Sequence, residues 1–205
     1  MGTADSKTTI DAGRVLVPVS NPATARGLIQ LARRLADPET GKVWALRVQP
    51  AGAESAGHLH ETLEAIVEGL EDDGPQVELV TRTAPAVARG ILDAALEYGV
   101  TLMVLGFQTP GGGRPTLGPV VEAVARTTPC DLIVYRNPSH QPMLLEDVTR
   151  VIMPLDGSDH SRVAARLGLT LAEAYDAQPF AVFVQTEPNM PNWFGLARIE
   201  AALEG

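Results

Sequence analysis

The chain has 205 residues, of which 45% are hydrophobic and 20% charged, with a net charge of −9 and a pI near 4.9. This composition predicts a soluble globular protein of one or two domains, and the negative charge argues against nucleic acid or anionic lipid as a partner. The single cysteine, Cys130, excludes an intramolecular disulfide and a metal site made of cysteines alone. No apolar run approaches the roughly 20 residues that span a bilayer, and the N-terminus lacks the core of a signal peptide, so a cytoplasmic location is expected.

A stretch near the N-terminus recurs late in the chain. Residues 14–21 read RVLVPVSN and residues 150–157 read RVIMPLDG, an offset of 150 − 14 = 136 residues that continues without a gap. A repeat of this length indicates two copies of one domain, although the chain has room for only about half of the second copy. The predicted organisation is a flexible leader (1–13), a first copy (14–136), a linker (137–147) and a partial second copy (148–205).

Within the first copy, apolar residues alternate between strand-like and helix-like spacing. The predicted strands are 15–19, 43–48, 76–82, 102–105 and 132–135, with helical stripes at 25–35, 59–70, 87–96 and 117–125 between them. Strands alternating with helices predict βαβ units, and therefore an α/β fold with a Rossmann-like, open, doubly wound parallel sheet of five strands. The partial copy adds strand 149–155, helix 161–175, strand 180–185 and the start of a helix at 193–203. Pro18 and Pro154 are predicted at equivalent strand ends.

Two loops qualify as ligand sites. Open parallel sheets bind ligands beyond the carboxyl ends of their strands, where the strand order reverses. Residues 20–22 follow the first predicted strand and residues 106–118 follow the fourth. The second loop is rich in glycine, contains Arg114 and leads into a helix, which favours a phosphate on backbone amides. A simple flexible crossing between strand and helix is the alternative interpretation.

These motifs together resemble the universal stress protein family. The resemblance rests on the strand ends at 17–19 and 153–158, and on the glycine-rich loop and helix that lead to Pro129, Cys130 and the strand DLIVY. It covers residues 14–136 and again 150–205. Membership implies a Rossmann-like fold, dimer formation through the last strand and, in one subclass, ATP or AMP as the bound cofactor.

The nucleotide pattern of that subclass is matched unevenly. The resemblance implies an Asp after the first strand for the adenine, and Ser20 occupies that position in the first copy. The expected Gly-x-x-Gly-x9-Gly-Ser/Thr loop keeps Gly106, has Thr109 at its second glycine, and ends one residue early at Gly118, before a proline that has no amide N–H. The second copy has Asp156 but stops before a glycine loop. The candidate binding residues are Ser20, Val48, Gly106, Thr109, Gly111, Gly112, Gly113, Arg114, Gly118 and Asp156.

No catalytic or metal-binding residue is predicted. Asp156, Ser158, His160 and Ser161 contain the residue types of a nucleophilic triad, but neighbouring turn residues rarely converge on one atom, and Ser158 or Asp159 is better explained as a helix cap. His58 and His60 are two residues apart, a spacing that points them in different directions on a helix.

The dipeptide Asn21-Pro22 indicates a function within the family. The stretch VPVSNP resembles the strand end of universal-stress-like domains that follow membrane transporters such as cation/proton antiporters and amino-acid permeases. The first hypothesis is therefore a non-catalytic regulatory domain on the cytoplasmic side of such a transporter. The second hypothesis is a stand-alone nucleotide-binding stress protein with weak ATPase activity. Because half a domain leaves an apolar sheet edge open, a homodimer or higher assembly that covers residues 148–205 is also expected.

Overall fold

The computed structural model describes residues 12–52, 57–70, 74–107, 117–136 and 148–183. They fall into two compact units, one ending before residue 146 and the other beginning there. In the first unit the elements are β1 (Arg14–Pro18), α1 (Pro22–Leu35), β2 (Lys42–Pro50), α2 (Gly57–Glu68), β3 (Gln76–Ala84), α3 (Val87–Glu97), β4 (Leu102–Phe107), α4 (Pro119–Thr127) and β5 (Asp131–Arg136). The second unit contains β6 (Arg150–Leu155), α5 (Asp159–Ala174) and β7 (Gln178–Phe183).

The first unit is built on a parallel sheet of five strands in the order β3-β2-β1-β4-β5. Helices α1 and α2 pack against each other, and α3 and α4 form a second pair. The predicted α/β fold with a Rossmann-like, doubly wound sheet is confirmed. The strand order reverses between β1 and β4, so the loops after these two strands flank the switch point, as expected.

The central strands are apolar on both faces because helices cover both. Leu16, Trp44 and Leu46 lie in a core cluster with residues of α3 and α4, and the intervening Val15, Val17 and Val43 on the other face are also fully buried. Side chains of a strand alternate between faces, so a continuous apolar run is the expected sequence of such a strand.

The second unit is a β-α-β unit with a two-stranded parallel sheet. Arg150 is the register partner of Gln178, and Arg14 is that of Lys42, so both strand pairs have a register difference of 28 residues (178 − 150 and 42 − 14). This agreement is consistent with the predicted repeat. That residues 148–205 form a partial second copy stays a prediction, and the predicted helix at 193–203 lies outside the described residues.

The element boundaries differ from the predicted ones by a few residues. Helix α4 begins at Pro119 rather than at residue 117, because proline suits the first helical position, where an N–H has no partner within the helix. Helix α5 begins at Asp159 rather than at 161, because Ser158 caps it. Pro18 is the last residue of β1, beyond the residues that pair with β4, which confirms its predicted place at a strand end.

Candidate functional site

A pocket of about 130 Å³ lies at the switch point of the first unit. The ends of β1 and β4 and the start of α1 form it, together with one side chain from β5. Its lining residues are Pro18, Ser20, Asn21, Thr24, Leu28, Gly106, Phe107 and Tyr135. None of these described lining residues carries a formal charge at neutral pH, and the described part of the wall offers hydroxyl, amide and aromatic groups.

The start of helix α1 fixes one wall of this pocket. Asn21 is the N-cap, its Oδ1 accepts a hydrogen bond of 3.0 Å from the Ala23 amide, and Pro22 follows at the first helical position. The Thr24 hydroxyl donates to the Asn21 carbonyl oxygen at 3.2 Å. The Asn-Pro dipeptide therefore has a local structural role, because it begins the helix and supplies its cap.

Ser20 lies at the position where the resemblance implies the aspartate of the nucleotide-binding subclass. It is exposed and lines the pocket, and it offers a hydroxyl and no carboxylate. A carboxylate would accept a charge-assisted hydrogen bond from the exocyclic amine of adenine, and a hydroxyl gives a weaker bond.

Gly106 also lines the pocket, and its lack of a side chain has a packing explanation. A Cβ at this position would lie 2.6 Å from Cδ1 of Leu28, a buried residue of α1. Any larger residue would have to move the Leu28 side chain or push α1 away from β4. Packing of α1 on the sheet therefore favours glycine here, whether or not a phosphate approaches its backbone.

Tyr135 is the functional candidate that the sequence did not indicate. It is the register partner of Gly106, and this pairing brings its side chain to the pocket. The phenol of Tyr135 is protonated at neutral pH and can donate a hydrogen bond, and burial raises its pKa further above the usual value. Phe107, Thr24 and Leu28 were also missed. The available signal for these three residues was their position at the end of β4 and on the first turns of α1. Tyr135 could not be found, because the register of β5 cannot be read from the sequence.

The other predicted site residues do not gather at this pocket within the described residues. Val48 is a partly buried residue of β2 that packs against the core cluster of α3 and α4. Gly118 is the N-cap of α4, where the space next to its Cα is open and no side chain caps the helix. Asp156 belongs to the second unit. The remaining predicted residues lie outside the described part of the chain: Thr109, Gly111, Gly112, Gly113 and Arg114.

Asp156 is held within its own turn. Its Oδ1 accepts a 2.9 Å hydrogen bond from the Ser158 amide, and Gly157 between them has a φ of 81°, a conformation that favours glycine. The Ser158 side chain, the Ser158 amide and the Ser161 side chain, in that order, lower the pKa of Asp156 to about 2. Ser158 Oγ in turn accepts from the Ser161 amide at 3.2 Å, which confirms the predicted cap.

Replacing Ser158 with alanine is expected to raise the pKa of Asp156 towards its ordinary value, because the largest cause of the low pKa is removed. A carboxylate with a depressed pKa contributes stability above its unfolded pKa of about 3.9, and this contribution is lost as the pH falls towards 2. The carboxyl resonance of Asp156, followed by NMR as a function of pH, measures the change. Asp37 is the control, because its pKa is lowered by Thr40 and Glu39 and should not respond. An unchanged Asp156 pKa would contradict the assignment.

Among the residues that the structure describes, no group of three or more His, Cys, Asp or Glu side chains could hold a metal ion. His60 makes local contacts, with Nε2 3.1 Å from an oxygen of Glu64 and Nδ1 3.4 Å from the Thr81 hydroxyl. In the same part of the chain, no helix is long and apolar enough to cross a membrane.

Comparison with protein families identifies the first unit. The family model described as the universal stress protein family matches residues 12–136. The chain belongs to the universal stress protein family. This result confirms the resemblance over residues 12–136, and the five-stranded parallel sheet with its flanking helices is that of a universal stress domain. Comparison with curated proteins gave no significant match.

Solved structures support the same fold at low sequence identity. A universal stress protein from Archaeoglobus fulgidus is 20% identical with a TM-score of 0.51, and the alignment covers 59% of this chain and 96% of that one. The hypothetical protein MJ0577, solved for a structure-based assignment of biochemical function, is 17% identical with a TM-score of 0.55, and the alignment covers 63% and 99%. A universal stress protein in complex with cAMP is 19% identical, with 60% and 95% covered, but its TM-score of 0.45 is too low to bear on the ligand of this chain.

Proposed function

We propose that this chain is a non-catalytic sensing domain of the universal stress protein family, and that its ligand is a small uncharged molecule bound at the switch point. The observation that carries the proposal is the pocket between the ends of β1 and β4, whose described lining residues are all uncharged. Sensing here means that ligand occupancy changes how the domain interacts with a partner, without a chemical step.

The size and chemistry of the pocket support an uncharged ligand. About 130 Å³ is well below the roughly 300–1,000 Å³ of a pocket for a drug-sized ligand, so the described walls accommodate about one ring. Phe107 and Tyr135 offer aromatic surface, and the hydroxyls of Ser20 and Tyr135 offer hydrogen bonds to a neutral polar group.

ATP or AMP binding is the second candidate function, and one observation favours it. Gly118 leaves the N-terminus of α4 open and without a side-chain cap, and such a terminus can bind a phosphate. Two features weaken the candidate. Pro119 removes one amide donor at that terminus, and Ser20 offers no carboxylate to adenine.

Two titrations distinguish these candidates. Calorimetry with ATP, ADP and AMP, each with Mg²⁺, is expected to show no micromolar binding. Ligand-observed NMR with a set of neutral one-ring compounds is expected to show binding to the unmodified chain, which Ser20→Phe abolishes by filling the pocket. Thr83→Phe, at an exposed position of β3, is the matched control and should bind like the unmodified chain.

Micromolar binding of a nucleotide would overturn the proposal in favour of the second candidate. Neutral compounds whose binding survives Ser20→Phe would show that the switch-point pocket is not the ligand site.

Attachment to a membrane transporter is part of the proposal, and so is a position on the cytoplasmic face. Its support is the resemblance of the VPVSNP strand end to domains that follow antiporters and permeases. The genomic reading frame around the codons for this chain provides the test. A frame that encodes several apolar spans of roughly 20 residues supports the attachment, and a frame without such spans contradicts it.

A further inference from the structure

The polar side chains at the start of α1 have already used part of their hydrogen-bonding capacity. Asn21 Oδ1 accepts from the Ala23 amide at 3.0 Å, because an N-cap needs an oxygen at this point. The side chain of Asn21 is therefore left with its amide N–H groups to offer a ligand. The Thr24 hydroxyl donates its only hydrogen to the Asn21 carbonyl oxygen at 3.2 Å, so towards a ligand it can only accept.

The phenol of Tyr135 is a hydrogen-bond donor without a partner among the described residues. Tyr135 is the register partner of Gly106, and residues in register project their side chains from the same face of a sheet. Leu28 of α1 lies against the Cβ position of Gly106, so Tyr135 is on the face that α1 covers. Its side chain lines the pocket there, and no hydrogen bond between described residues involves its hydroxyl.

The described wall of the pocket therefore favours a ligand that accepts hydrogen bonds. Tyr135 and the amide of Asn21 offer donors, and Ser20 can donate or accept. A ligand without an acceptor would displace water from the phenol and leave that donor unpaired, which lowers the affinity. The described lining residues include no cation, and the chain has a net charge of −9, so a neutral acceptor is favoured over a carboxylate.

We propose that Tyr135 is the specificity-determining residue of the switch-point pocket, and that the ligand is an uncharged ring with a carbonyl oxygen that accepts a hydrogen bond from the phenol. Pyridones and other cyclic amides belong to this class. Leu28 and Phe107 offer apolar surface to the ring. This inference rests on the proposed function, because it names the chemical class of the small uncharged ligand.

Three probes of similar size test the ligand class by NMR titration of the full chain. 2-Pyridone has a neutral carbonyl oxygen, toluene has no acceptor, and benzoate has a charged one. The expected dissociation constant of 2-pyridone is about 1–10 mM, as for a ligand of one ring. Benzoate is expected to bind more weakly than 2-pyridone.

Tyr135→Phe separates the hydrogen bond from the shape of the pocket, because it removes the hydroxyl and keeps the ring. It is expected to weaken 2-pyridone by about 5-fold and to leave the binding of toluene unchanged. Tyr98→Phe is the matched control. Tyr98 stacks on Trp44 with ring centroids 5.1 Å apart and is not a lining residue, so its loss of a hydroxyl should change the affinity of none of the probes.

The outcomes distinguish this inference from the proposed function on which it rests. If Ser20→Phe abolishes the binding of the probes, the pocket is their site. An affinity for 2-pyridone that Tyr135→Phe leaves unchanged, or lowers no more than that for toluene, then overturns the role of Tyr135 alone. Tighter binding of benzoate than of 2-pyridone overturns the uncharged class. If neither 2-pyridone nor toluene binds, or if their binding survives Ser20→Phe, the proposed function fails and this inference fails with it.

Discussion

Replacing Gly106 with valine is expected to lower the free energy of unfolding by about 3 kcal/mol. Strand propensity alone predicts the opposite sign, because valine favours strands and glycine weakens them. Packing dominates here, since a Cβ at this position would meet Cδ1 of the buried Leu28 at 2.6 Å. The extra methyl groups must displace α1 from β4 or force Leu28 out of its rotamer. Chemical denaturation of the unmodified and substituted chains measures the difference.

A double-mutant cycle with Leu28→Ala tests this explanation. Leu28→Ala alone should cost about 2–5 kcal/mol, as for other buried leucines. In the double variant the valine methyl groups occupy space that Leu28 vacated, so the two losses should fall short of their sum by at least 1 kcal/mol. Losses that simply add would show that the side chain introduced by Gly106→Val does not clash with Leu28.

Gly90→Ala is the second substitution with a large expected effect. Glycine inside a helix normally costs about 1 kcal/mol relative to alanine, so propensity predicts stabilisation of α3. A Cβ at Gly90 would instead lie 2.7 Å from Cγ1 of Val48 and 2.9 Å from Cβ of Ala84. Val48 is stiff about χ1 because it is β-branched, and Ala84 has no rotamer to change. The net expectation is a loss of about 2 kcal/mol in the free energy of unfolding.

Gly168→Ala in α5 is the matched comparison for Gly90→Ala. A Cβ there would meet Cγ and Sδ of Met153, and methionine is unbranched and adapts to its surroundings. The loss at Gly168 should therefore be smaller than the loss at Gly90. Thermal unfolding followed by circular dichroism gives both values, and an equal or larger loss at Gly168 would contradict the assignment of stiffness to Val48 and Ala84.

Much of the fold was readable from local pattern. Apolar runs such as 102–105 identified strands covered on both faces, and the helical stripes between strands identified the βαβ connections. The ends of elements were less accurate. The start of α5 depends on which side chain accepts a hydrogen bond from the Ser161 amide. The start of β7 depends on pairing with β6, which hydrophobicity alone does not reveal.

The candidate site was predicted only in part. Ser20 and Gly106 were found because they follow β1 and end β4, and a reversal of strand order at these strands is an expectation of the fold class. Tyr135 and Leu28 were not found, since they are distant in sequence and reach the pocket through the register of β5 and the packing of α1. Val48 was included as a binding residue, but the structure places it against the core cluster of α3 and α4.

The sequence by itself determined the fold class and the family, because these depend on the spacing of apolar residues and on short motifs that can be recognised without knowledge of contacts. Only the tertiary structure decided which residues meet. It showed that Gly106 leaves space for the Leu28 side chain. It also showed that Ile152 is exposed, whereas Leu16, which the offset of 136 residues pairs with it, is buried. The physical reason is that burial and pocket shape depend on distances between elements far apart in the chain, and local propensity carries no information about those distances.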